Sequence, residues 1–282
     1  MSLSSIPMLD KLLHAFTSLQ TLPCRDDFSA TSAIIERLID VGVDVNAAAD
    51  SSSVKSVIPL QKAVVNSNLW LVRLLLAHGA YVDWECSDKS GTTPLHLSLS
   101  LIYYYIPLLP KREVRWRLAN EFRIIDELLG AMANPNSVGT DGLRPLHHVF
   151  RGVSYCDVLF GDDSALEKSS FWDESRALVE RLLTSGADLF AKDEQGQRPM
   201  DYATSVRARG LALSARLLHY RLAFRRRVEP ILKYTDFSFD SSKDFSAIFA
   251  EHLRDHPFFV LSLLVSIFAS LVVVFCSAYA VI

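Results

Sequence analysis

The sequence predicts an all-α protein, a stack of helix pairs followed by one membrane-spanning helix. Two observations carry this. A proline-led phrase recurs four times, as Ile58-Pro59-Leu60-Gln61, Thr93-Pro94-Leu95-His96, Arg144-Pro145-Leu146-His147 and Arg198-Pro199-Met200-Asp201. The 26 residues Pro257–Ile282 carry no charge, and 16 of them are Leu, Ile, Val or Phe.

Proline suits the first helical turn, where its missing N–H has no partner to lose, so each phrase opens a helix at Pro59, Pro94, Pro145 or Pro199. A second phrase closes the partner helix: Leu38 to Asn46, Leu75 to Asp83, Leu128 to Asn136 and Leu182 to Asp188. Gly42, Gly79 and Gly186 sit where a helix ends in the left-handed conformation, which costs glycine least. Met132 takes that place in the third phrase and is expected to strain or reshape its turn.

These phrases resemble the ankyrin repeat, with its threonine-proline-leucine-histidine turn and its leucine-leucine, glycine-alanine helix end. The likeness spans roughly residues 5–220. It implies a solenoid of four to five degenerate helix pairs with short hairpin loops, in units near 5–46, 56–83, 91–136, 142–188 and 196–220. Such units bury their apolar faces only by stacking on one another. Pro59 to Gly79 matches the interval of an ordinary unit. Pro94 to Met132 and Pro145 to Gly186 are longer, which implies insertions between the paired helices. Ile6-Pro7-Met8-Leu9 offers a similar opening for the first unit.

The first insertion is aromatic and basic, with Tyr103, Tyr104 and Tyr105 before Lys111, Arg112, Arg115, Trp116 and Arg117. Its aromatics read either as interface anchors or as an extension of the core. The second, Gly152 to Ser175, is acidic and reads as a solvated loop, a partner contact or an electrostatic match to the neighbouring insertion. The last pair is expected to run from Asp201 to Arg209, break at Gly210, and continue from Leu211 to about Lys233. Arg221, Arg225, Arg226 and Arg227 on that helix suit a polar cap or attract anionic lipid.

Little in the chain points to catalysis. His96 and His147 share one recurrent turn position, which implies that they brace the turn, and no carboxylate or cysteine pattern stands near them to hold a metal. Cys24, Cys86, Cys156 and Cys276 form no CxxC pair, and no phosphate loop or nucleophile elbow is present. No enzyme activity, cofactor or metal is expected. A net charge of −3 gives no drive toward nucleic acid. The resemblance places Trp84, Lys89, Asp141, Lys192 and Gln195 at hairpin tips on the usual binding edge, with Tyr103, Tyr104 and Trp116 as further contacts for a protein partner.

Residues 221–256 read as an extended cap helix, a linker, and a helix begun by Asp244, whose Phe245, Ile248, Phe249 and Leu253 share one face. That helix lies at the membrane interface or packs on the repeats. The segment 257–282 is long enough to cross the ~30 Å hydrocarbon core. Ser262, Ser266 and Ser270 recur every fourth residue, which suits either a self-association seam or bonding to their own helix backbone. The expectation is a single-pass, tail-anchored protein of the endoplasmic reticulum or secretory membranes. Its repeats would face the cytosol and recruit a partner; the alternative is an accessory subunit or fragment of a transport or channel assembly.

Overall fold

The computed structural model describes Leu13 and residues 28–47, 58–85, 91–160 and 168–234. Pro7, Lys89, the helix expected after Asp244, and the segment Pro257–Ile282 with Ser262, Ser266 and Ser270 lie outside the described residues. Among the described residues every regular element is helical, and no helix is long and apolar enough to cross a membrane. The chain divides into two compact units, Met1–His219 and Tyr220–Ile282.

Helix α1 (Phe28–Asp40) is followed by a short pair, α2 (Pro59–Val65) and α3 (Leu69–Ala77). The tight turn between them places Ser67 at φ 54°, and Asn68 Oδ1 caps α3 by accepting from Leu71 N–H at 3.1 Å. The next pair is α4 (Pro94–Ser100) and α5 (Lys111–Gly130), joined by a π-helical turn (Leu101–Tyr105) and a 3-10 turn (Ile106–Leu108). A third pair, α6 (Pro145–Phe160) and α7 (Lys168–Thr184), precedes a 3-10 turn (Pro199–Tyr202) and α8 (Val206–Tyr234).

The pairs pack in order, first helix on first helix and second on second. α2 meets α4 and α4 meets α6, while α3 meets α5 and α5 meets α7. Leu60, Val64, Leu95, Leu99, Leu146 and Phe150 are sealed in the first layer, and Leu71, Leu75, Ile124, Leu128, Leu178 and Leu182 in the second. Each such side chain withdraws from water with a gain of about 1.5–3 kcal/mol, which a lone pair of helices could not collect.

The four helix ends share one bonding scheme. Gly42, Gly79, Met132 and Gly186 have φ of 94°, 82°, 65° and 98°. The residue after each reaches back, with Val43, Ala80, Ala133 and Ala187 N–H donating to Leu38, Leu75, Leu128 and Leu182 carbonyls at 2.9–3.3 Å. Met132 therefore keeps the turn that glycine makes elsewhere.

Two expectations are corrected here. The second insertion is not a loop through most of its length: Gly152–Phe160 continue α6 and Lys168–Ser175 open α7. The acidic residues mask helical burial of Val153, Cys156, Phe171 and Ser175, while Asp157 pairs with Arg207 at 2.7 Å. Nor does Gly210 break the last pair. The break falls at Ala203 to Ser205, α8 runs through Gly210, and no heavy atom lies within 4 Å of where its Cβ would stand.

Candidate partner-binding surface

The third residue of each proline-led helix has one local task. Gln61 Oε1 accepts from Ile58 N–H at 3.3 Å and His96 Nδ1 from Thr93 N–H at 3.3 Å. His147 Nδ1 accepts from Arg144 N–H at 3.1 Å and Asp201 Oδ2 from Arg198 N–H at 2.8 Å. Each bond satisfies a backbone donor that the helix start leaves open.

Two of these side chains also reach onward. Gln61 Nε2 donates to Trp84 carbonyl at 3.1 Å. Because Nδ1 of His147 is an acceptor, its proton sits on Nε2, which donates to Gln197 carbonyl at 3.2 Å. His96 Nε2 faces the Leu143 and Ser137 carbonyls, which pull its pKa upward slightly, but makes no well-formed bond. Burial outweighs that pull and holds His96 down to about 4, and burial also lowers His147. Both imidazoles are therefore neutral, and His147 braces its pair against the next hairpin.

A second ladder was not read from the sequence as bonds between units. Asn46 Oδ1 accepts from Tyr81 N–H at 2.8 Å, Asp83 Oδ1 from Asn134 N–H at 3.0 Å, and Asn136 Oδ1 from Asp188 N–H at 2.7 Å. Asn46 and Asn136 also donate to the Gly79 and Gly186 carbonyls. The signal was the shared place of Asn46, Asp83 and Asn136 four residues beyond the helix-ending position. The ladder stops at Phe190, which packs edge-on against His219 at 5.1 Å.

These two sets of bonds hold the hairpins that carry the expected contact residues. Trp84 is half-buried and stacks on exposed Tyr81 at 5.8 Å. Asp141 is exposed at φ 60°, its carbonyl accepting from Glu194 N–H of the next hairpin at 3.3 Å. Lys192 and Gln195 are exposed beside Asp193, whose carboxylate accepts from Gln195 N–H, Gln197 N–H and Tyr202 Oη.

The tyrosines of the π-helical turn separate. Tyr103 belongs to the core and not to a free contact surface: it is fully buried, packs edge-on to Phe171 at 5.9 Å, and donates to Ser175 Oγ at 3.3 Å. Gly152 makes room for it, since a Cβ there would lie 2.3 Å from its ring. Tyr104 is half-buried against Tyr155 at 5.4 Å, and burial lifts its phenol to about 12. Tyr105 is 63% exposed. Trp116 stands apart on α5, half-buried, with Arg117 over its ring at 5.2 Å.

Glu121 of α5 was also missed. Its carboxyl is fully buried, with Ser98 Oγ donating to Oε2, and Oε1 has no partner. Burial lifts its pKa to about 7, opposed by Ser98, Ser67 and Arg117. No sequence signal marks it, because a glutamate on a polar stretch of α5 reads as solvated.

Among the described residues no group of three or more histidine, cysteine or acidic side chains is placed to hold a metal. No family model matches the chain, and no curated protein matches it either.

Proposed function

We propose that the chain is a membrane-anchored scaffold of the ankyrin type, which presents a rigid stacked surface to a protein partner and confines that partner to a membrane. The observation that carries the reading is the recurrence of bonds from unit to unit. Gln61 and His147 tie two of the helix starts to the following hairpin, and Asn46, Asp83 and Asn136 tie three helix ends each to the next. Such bonding fixes the hairpins as one edge, and a preordered edge loses little entropy on binding. Pro257–Ile282 is the attachment, because 16 branched or aromatic apolar side chains among its 26 residues outweigh the polar ones in a bilayer. Holding the stack at a membrane raises the partner's effective concentration there without new contacts.

Alkaline carbonate extraction and protease protection on intact membranes test this. The full chain should stay with the membrane while its repeats remain open to cytosolic protease. Release by carbonate, or protection of the repeats inside the vesicles, would contradict the reading.

A further inference from the structure

Several costly features converge on one face of the stack. A π-helical turn follows α4 at Leu101–Tyr105, and such turns are rare and frequently found at functional sites. The turn sets Tyr104 against Tyr155 of α6 and leaves Tyr105 exposed, and on α6 Arg151, Tyr155, Val158 and Leu159 recur at helical spacing and are all exposed. Val158 is 77% exposed, Tyr105 63% and Leu108 64%. α6 thus shows water a tyrosine, a valine and a leucine in addition to the stripe it buries through Phe150, Val153 and Cys156.

Charge and polarity at the centre of this face are unmet. Arg151 makes no ion pair or side-chain hydrogen bond among the described residues, although it lies close enough to bias Tyr104, His148 and Tyr202. Asp193, which Tyr202 engages at 2.6 Å, already accepts from three donors. The Tyr104 hydroxyl and His148 Nδ1 are buried without a partner. His148 packs edge-on against His96 at 5.4 Å and stays neutral, so among the described residues Arg151 is the one fixed charge of the stripe.

We infer that the face formed by the π-helical turn and α6 receives a partner polypeptide that presents a carboxylate to Arg151 and apolar side chains to Tyr105, Leu108, Tyr155 and Val158. The unpaired guanidinium selects the carboxylate, since an arginine fork binds two carboxylate oxygens at once. The apolar flank excludes water and strengthens that bond. The inference rests on the scaffold reading and adds the chemistry of the partner.

The test is selection of random twelve-residue peptides displayed on phage against the full chain in mild detergent, followed by binding measurements with variants. The enriched peptides should share an Asp or Glu beside apolar residues, and their affinity should fall at least tenfold with Arg151→Gln or Val158→Asp. Arg151→Glu should invert the preference toward lysine-bearing peptides. All three changes fall on exposed positions, and unchanged thermal melting shows that the stack persists. Peptides without an acidic residue, or peptides insensitive to Arg151→Gln, overturn the inference. If those peptides respond instead to Lys192→Ala or Trp84→Ala, the scaffold reading survives alone, whereas failure to enrich any peptide counts against both. Self-association that Arg151→Gln abolishes, with no effect on peptides, would make a second copy the occupant and also overturn the inference.

Discussion

Met132 stands in a left-handed conformation, φ 65°, where the equivalent helix ends carry glycine, and its side chain is 84% exposed. It bears backbone strain and gains little packing in return. Met132→Gly is therefore expected to raise stability by about 1 kcal/mol in urea unfolding, because glycine adopts this conformation without the steric cost. Glu121 has the opposite character, a sealed carboxyl whose protonated form the fold prefers. Its pKa rises from 4.5 in the unfolded chain to about 7 in the fold. Between those values the folded state holds a proton that the unfolded state has lost. Stability from this residue is thus full below about pH 4.5 and falls as pH rises toward 7. Glu121→Gln should gain on the parent across that window, by about 3 kcal/mol at its upper end, and the difference should level off above it. Equal pH profiles for the two proteins would show that Glu121 does not titrate there.

At the scale of elements, Gly152 sets how closely α6 approaches the π-helical turn. A methyl group at that position would overlap the Cβ and ring of Tyr103 at 2.3–2.8 Å. Gly152→Ala is expected to lower stability by about 1–3 kcal/mol in thermal or urea unfolding, despite the better helix propensity of alanine. The helix starts at Pro59, Pro94 and Pro145 were legible in the sequence because proline suits the first helical turn, whereas Pro199 opens only a 3-10 turn and α8 begins at Val206; the ends were legible because Gly42, Gly79 and Gly186 mark a left-handed turn. The second inserted segment was not legible as helix, since the acidic surface of α6 and α7 obscures the buried Val153, Cys156, Phe171 and Ser175. The exposure of the expected contact residues was legible in part. Tyr104 and Trp84 remain at least partly accessible, but three adjacent tyrosines cannot be sorted from sequence when a π-helical turn decides which of them faces the core. Arg151 carried no signal, because an isolated arginine on a helix reads as ordinary surface.

At the scale of the whole molecule, the described helix pairs cohere through sealed apolar layers and through bonds that step from one pair to the next. Asn136 both accepts from Asp188 N–H and donates to Gly186 carbonyl, so Asn136→Ala removes two links at once. A loss of about 1–2 kcal/mol is expected, partly offset by water at this exposed place. Hydrogen exchange at the Asp188 amide should quicken more than exchange at amides in α2. The larger claim is that recognition by the repeats and attachment by Pro257–Ile282 are separable. The most direct measurement compares cells expressing the full chain with cells expressing the chain without residues 257–282. In-cell crosslinking is followed by quantification of the crosslinked partner in the membrane and soluble fractions. The expected result is that the shortened chain and its partner move together to the soluble fraction, with the crosslinks between them preserved. Loss of the crosslinks on deletion, or a shortened chain that stays with the membrane, would contradict the account.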